Sequence, residues 1–164
     1  MKKLAVIIPA HNEESTITEV VNKVKSVDLE KLGIEKEIIV VDDGSTDSTA
    51  EIVRNKFPFV VLLRNKVKEG KGSAVKKAIV YSNSDFYVIQ DADLEYDPKE
   101  YPRLLEPLVE NKEEIVYGSR FLGRGYPSEM LFANYIGNLL GTFIANVLYG
   151  GGLTDLMTGY KVFS

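Results

Sequence analysis

The apolar run Leu4-Ala5-Val6-Ile7-Ile8 constrains this chain more than any other feature. Five apolar residues in a row, without alternation, suit a strand covered on both faces. Similar runs return at Ile38 to Val41, Phe59 to Leu63 and Phe86 to Gln90, with a short one at Ile115 to Tyr117. Between the strands the spacing turns helical. Ile17, Val20, Val21 and Val24 recur three and four residues apart, with Asn12 as the expected cap and Glu13 and Glu14 in the first turn. Thr46 to Asn55 and Ala74 to Tyr81 read as helices, and Asp97, Pro98 and Glu100 spell the start of another. Strands alternating with helices predict an α/β fold, a mostly parallel sheet with helices on both faces.

In such sheets ligands sit beyond the carboxyl ends of the strands. The polar clusters of this sequence fall there repeatedly: after Pro9, after Val41, after Gln90 and after Tyr117. At 164 residues the chain has a one-domain length and buries roughly 70% of its unfolded surface. A net charge of −4 leaves no excess of cations to track phosphates, which argues against nucleic acid as a partner. The absence of cysteine excludes disulfides, thiolate zinc sites and a cysteine nucleophile, and a single histidine, His11, excludes a multi-histidine metal site. Met1-Lys2-Lys3 before an apolar run imitates a leader, but the run is short and lacks a cleavage site. It reads as a strand, with a cytoplasmic location expected.

Asp91-Ala92-Asp93 puts two carboxylates where the fourth strand ends. Oxygen ligands so arranged suit a hard divalent cation that keeps waters and bridges a diphosphate. A departing nucleoside diphosphate gains charge that such a cation neutralises. Taken alone, Asp-x-Asp also serves as an acidic loop before a helix, and Glu95 is either a further ligand or a solvated acid. Asp42-Asp43-Gly44-Ser45-Thr46-Asp47 is a second acidic turn, able to accept hydrogen bonds from a base or ribose, or equally ordinary turn chemistry. Gly70-Lys71-Gly72-Ser73 before a helix suits a phosphate, although it lacks Walker spacing. His11 suits base stacking or a plain turn, and Arg120 suits a phosphate clamp or the surface. Asp155 reads as a cap or as an acid at the reaction centre.

From Met130 to Thr154 no residue is charged. A membrane span is one reading at that length. Asn134, Asn138, Thr142 and Asn146, however, form a polar stripe every fourth residue, beside a small-residue stripe of Gly137, Gly141 and Ala145. A buried or interfacial amphipathic helix is the expectation.

Taken in order, these segments resemble the family 2 glycosyltransferases with the GT-A (Rossmann-like) fold, and within them the dolichyl- or polyprenyl-phosphate sugar synthases. The resemblance rests on Val6 to Glu14, Val41 to Asp47, Gly70 to Ala74, Gln90 to Glu95, Gly118-Ser119-Arg120, and Thr154-Asp155 through Gly159-Tyr160-Lys161. It implies that Pro9, His11, Glu13, Val41 and Asp43 surround the nucleoside and that Lys71 lies near the donor. It further implies Mg2+ or Mn2+ held by Asp91 and Asp93 on the diphosphate, Ala92 packed against the nucleotide, Arg120 on phosphate and Asp155 near the acceptor. His11 stands where many members carry tyrosine.

The expected reaction is inverting transfer of a sugar from a UDP- or GDP-sugar to a polyprenyl (dolichyl) phosphate, at the cytoplasmic face of the membrane, by one domain spanning residues 1–164. Members of this subgroup continue past the Gly-Tyr-Lys motif, so the chain is expected to be shorter than they are at its C-terminal end. Some carry arginine in the segment matching Tyr126 to Asn138, where this sequence has none. A saccharide hydroxyl as acceptor, a non-catalytic nucleotide-sugar-binding module and a phosphoacceptor receiver domain are the alternatives, and self-association through the uncharged helix is a further possibility.

Overall fold

The computed structural model describes residues 1–122 and 131–164. Tyr126 to Met130, part of the segment without arginine and the start of the uncharged stretch, lie outside the described residues. Six strands, β1 (Lys2–Ala10), β2 (Ile34–Asp43), β3 (Val61–Asn65), β4 (Phe86–Ile89), β5 (Ile115–Tyr117) and β6 (Lys161–Phe163), form one sheet in the order β3-β2-β1-β4-β6-β5. β1 pairs in parallel with both β2 and β4, and β2 in parallel with β3. β6 is antiparallel to its neighbours β4 and β5, so it alone runs against the rest. Three residues with a single fully buried side chain, Val162, gave β6 no sequence pattern to recognise.

The unbroken apolar run of β1 has a direct cause. Leu4, Val6 and Ile8 enter the larger core, with Val20 and Val21 of α1 (Ile17–Ser26), Val53 of α2 (Thr49–Lys56) and Leu105 of α4 (Tyr101–Val109). Ala5 and Ile7 enter the smaller core on the opposite face, with Ala74 and Ala78 of α3 (Lys71–Tyr81). Burying a strand on both faces leaves nothing for solvent, hence no alternation.

The start of α1 differs from expectation. α1 begins at Ile17 and Asn12 does not cap it. Asn12 is left-handed (φ 58), its backbone N–H donates to Ser45 Oγ (3.0 Å), and its Oδ1 accepts from Thr46 N (2.9 Å). It ties the loop after β1 to the loop after β2. Glu14 likewise lies outside the first turn of α1 and accepts instead from Ser48 N (3.0 Å), at the mouth of α2. Asp97 does accept a hydrogen bond as expected, from Lys99 N (3.1 Å), at a short 3-10 turn that leads into α4.

The uncharged stretch forms α5 (Phe132–Tyr149), and its orientation is the reverse of an ordinary surface helix. Asn138 and Thr142 are buried, whereas Phe143 and Leu148 are 65% and 69% exposed. Among the described residues, no helix is long and apolar enough to cross a membrane.

Candidate active site

The strand order reverses between β1 and β4: β2 and β3 lie to one side of β1, β4 to the other. Such a switch point opens a crevice at the strands' carboxyl ends. Pairing of β1 with β4 stops at Ile7–Ile89, and the two chains then part. The crevice is a cavity of about 210 Å³ lined by Pro9, Ala10, His11, Glu13, Asp43, Lys68, Gly70, Lys71, Asp91, Ala92 and Asp93. Eight residues singled out from sequence thus line one cleft. Val41 does not join them: it is fully buried in the smaller core, registered beside Pro9, and supports the cleft from beneath.

The two acids that end β2 have divided roles. Asp42 is buried away from the cleft, with Arg64 Nε 2.8 Å from its Oδ2 and Ser45 N donating to its Oδ1 (3.1 Å). Asp43 lines the cleft, yet most of its acceptor capacity is already used. Asn65 Nδ2 (2.8 Å) and Glu69 N (2.9 Å) donate to Oδ1, and Gly70 N (2.7 Å) donates to Oδ2. Burial alone would raise the Asp43 carboxyl, but these three donors hold it below the ordinary carboxylate range. Its work is to fix the loop that delivers Lys71. His11 donates from Nδ1 to the Asp43 carbonyl (2.9 Å), which sets the tautomer and anchors the ring at the rim.

The loop after β4 is held from below by Gln90, which is fully buried. Its Nε2 donates to the carbonyls of Asp91 and Tyr96 (3.2 Å each), and its Oε1 accepts from the Tyr101 hydroxyl (2.8 Å). Leu94 follows the triplet with φ 67, a conformation costing about 1–2 kcal/mol for a branched side chain. Asp93 Oδ1 accepts from Glu95 N (3.1 Å) across that turn. Gly159 presses on the same loop from the other side: a Cβ there would lie 2.4 Å from Asp91 Oδ2 and 2.8 Å from the Tyr96 ring.

Lys71 Nζ pairs with Asp91 Oδ1. The cleft therefore already attracts a cation to this carboxylate. Four carboxylates line it against two lysines, an imbalance that a divalent cation offsets. Among the described residues no three ligating side chains converge. Two carboxylates with water and diphosphate completing the shell is a donor set suited to Mg2+ or Mn2+.

Arg120 and Asp155 form a separate cluster beside the cleft rather than in its lining. Asp155 is fully buried and accepts four hydrogen bonds: from Arg120 N (3.1 Å), Nε (2.8 Å) and Nη2 (3.1 Å), and from Asn138 Nδ2 (2.6 Å). Burial would raise its carboxyl, but the Arg120 and Asn138 donors more than offset it and hold it low. A carboxylate that already accepts four hydrogen bonds is a weak proton acceptor. Arg120 Nη1 lies 3.5 Å from Glu95 Oε1, which bridges this cluster to the acidic loop. Lys161 completes it. Burial and the nearby Lys71 ammonium pull its pKa below the usual lysine range, and its Nζ donates to Thr158 O (2.7 Å). Lys68 was not singled out from sequence, and Lys161 entered only within the Gly159-Tyr160-Lys161 motif without a role; its register beside Ile89 and Tyr117 exists only through β6.

The chain is similar in sequence and fold to known proteins. A dolichol-phosphate mannosyltransferase of Pyrococcus furiosus is 36% identical over 126 residues, which is 75% of this chain and 34% of that protein. Among solved structures, glucosyl-3-phosphoglycerate synthase from Mycobacterium tuberculosis, in complex with Mn2+, uridine-diphosphate and phosphoglyceric acid, superposes with a TM-score of 0.72 at 24% identity. The match covers 99% of this chain and 56% of that one. Mannosyltransferase PcManGT from Pyrobaculum calidifontis, in complex with GDP-Man and Mn2+, gives a TM-score of 0.60 at 25% identity, over 70% of this chain and 34% of that one. The chain spans little more than a third of the length of the first curated relatives it matches. The sequence profile of glycosyl transferase family 2 matches residues 5–164, from the first buried strand through β6, and the chain belongs to that family.

Proposed function

We propose that this chain forms the donor-binding domain of an inverting glycosyltransferase that moves a sugar from a UDP- or GDP-sugar to a polyprenyl phosphate. The observation that carries the reading is the cleft at the strand switch point, which Pro9, His11, Glu13, Lys71, Asp91, Ala92 and Asp93 line together. His11, anchored through Nδ1, and Pro9 would flank the nucleoside. Asp91 and Asp93 would hold Mg2+ or Mn2+, which supplies neutralisation of the charge that develops on the leaving diphosphate. The PcManGT complex with GDP-Man and Mn2+ supports the metal and the class of donor.

The environment of Asp155 supports the choice of acceptor. A sugar hydroxyl needs a base to take its proton, whereas a phosphate is largely ionised near neutral pH and does not. Asp155 is buried and already accepts four hydrogen bonds, which favours the ionised acceptor. In this reading Asp155 is a positioning residue. It orients Arg120, whose Nη1 pairs with Glu95 of the acidic loop, and Lys161 adds a second cation for the attacking phosphate. The name of the Pyrococcus furiosus relative supports a polyprenyl phosphate acceptor. The outward apolar side of α5, with Phe132, Ile136, Leu140, Phe143 and Val147 exposed, supports a chain that works against a lipid surface.

The test is a panel of UDP- and GDP-sugars with Mn2+, scored for nucleoside diphosphate release with and without a short polyprenyl phosphate. Release stimulated by the lipid phosphate is expected. Stimulation by a saccharide instead would replace the acceptor, and no release with any donor or acceptor would refute transfer by this chain.

A further inference from the structure

Asp91 offers its two oxygens unequally. Oδ2 faces Gly159, where even a methyl group would come within 2.4 Å. Oδ1 faces the cleft, and Lys71 Nζ is paired with it. The lysine's placement is built in rather than incidental. Gly70 adopts φ +95 immediately before α3, and the backbone N–H groups of Glu69 and Gly70 are both pinned to Asp43 (2.9 and 2.7 Å). The ammonium is thus delivered to Asp91 from a fixed start, on a half-exposed stem.

We propose that Lys71 is the resident counter-ion of Asp91 and competes with the divalent cation for Oδ1. Metal then enters the cleft together with an anionic diphosphate, which accepts the displaced ammonium. A metal arriving alone must displace Lys71 and leave two cations side by side without an anion between them. A diphosphate arriving with it supplies oxygens for both. Metal and nucleotide therefore bind with positive coupling, and by linkage each raises the affinity of the other by the same factor. This inference rests on the reading of the cleft as a metal–diphosphate site.

The test is titration of Mn2+ alone, read from the electron paramagnetic resonance signal of free Mn2+, on the wild type, Lys71→Met and Lys68→Met. Each titration is repeated with UDP or GDP. Lys68 lines the same cleft and has no ion pair with Asp91, so it controls for the general field of a lysine. Lys71→Met is expected to bind Mn2+ alone about fivefold tighter than the wild type, the scale of a partly exposed ion pair. Lys68→Met should stay within about twofold of wild type on the same scale. Nucleotide should raise the Mn2+ affinity of the wild type by a larger factor than that of Lys71→Met. Equal or weaker Mn2+ binding by Lys71→Met, or equal tightening by Lys68→Met, overturns the competition while leaving the donor site intact. Absence of Mn2+ and nucleotide binding in every protein and combination overturns both.

Discussion

At the scale of single residues, the acidic triplet works because of groups far from it in sequence. Gly159 is the sharpest case, since its missing Cβ is what lets Asp91 Oδ2 lie against the backbone. Gly159→Ala is expected to weaken Mn2+-dependent nucleotide binding at least tenfold while costing about 1–3 kcal/mol of stability, the scale of an overpacked site. Calorimetry and urea unfolding on the same preparation separate the two effects, and unchanged nucleotide affinity would contradict the packing argument. Asp155→Asn tests the other cluster. If the acceptor is ionised, turnover should fall about tenfold or less, with the rise in the acceptor KM exceeding the fall in kcat. Near-abolition of kcat would instead make Asp155 the base. The triplet itself was legible in the sequence because it ends a buried strand. The tethering of Asp43 was not, because Asn65, Glu69 and Gly70 reach it from 22 to 27 residues away. The family resemblance implies Val41 as a nucleoside contact, but in the fold its side chain is fully buried in the smaller core.

At the scale of elements, α5 shows how a pattern can be legible while its direction is not. The polar stripe every fourth residue was visible in the sequence, and nothing there said which way it would face. In the fold it holds the loop that carries Asp155. Asn138 Oδ1 accepts from Met157 N (3.3 Å), Thr142 Oγ1 accepts from Leu156 N (3.0 Å), and Asn146 exchanges two hydrogen bonds with Leu153 (2.8 and 2.9 Å). Asn138→Leu would remove the donor to Asp155 Oδ1 and the acceptor for Thr142 Oγ1 and Met157 N, at a cost of about 1–3 kcal/mol. Leu140→Gln, on the exposed apolar side, should change stability by less than about 0.5 kcal/mol. Urea denaturation of the two variants checks the orientation, and the opposite ranking would contradict it. The start of α1 went unrecognised for a related reason. Asn12 has the chemistry of a cap, but Ser45 and Thr46 engage it first, and that contact exists only once β1 and β2 are paired.

At the scale of the whole molecule, the doubly covered sheet was legible from apolar runs, and only the reversed strand β6 escaped. That strand matters because it carries Lys161 to the cluster and sets Gly159 against Asp91. The fold also concentrates carboxylates that are more acidic folded than unfolded. For Asp43, Asp47 and Asp155 burial acts upwards, but internal donors outweigh it and hold all three below the ordinary 3.8. As pH falls the unfolded chain takes up these protons first, so the associated stability is present above about pH 4 and lost through the lowered folded values. The urea midpoint is expected to drop between pH 5 and pH 3, and Asp43→Asn should flatten that drop. A midpoint constant over this window would contradict the sign.

The central claim, that the cleft between β1 and β4 is a metal–diphosphate site, is tested most directly by titrating UDP and GDP calorimetrically with and without Mn2+, on the wild type and on Asp91→Asn. One of the two nucleotides should bind the wild type only when Mn2+ is present, and Asp91→Asn should weaken that binding at least tenfold, a loss of about 1.4 kcal/mol or more. Binding of neither nucleotide under any metal, or equal affinity in Asp91→Asn, would contradict it.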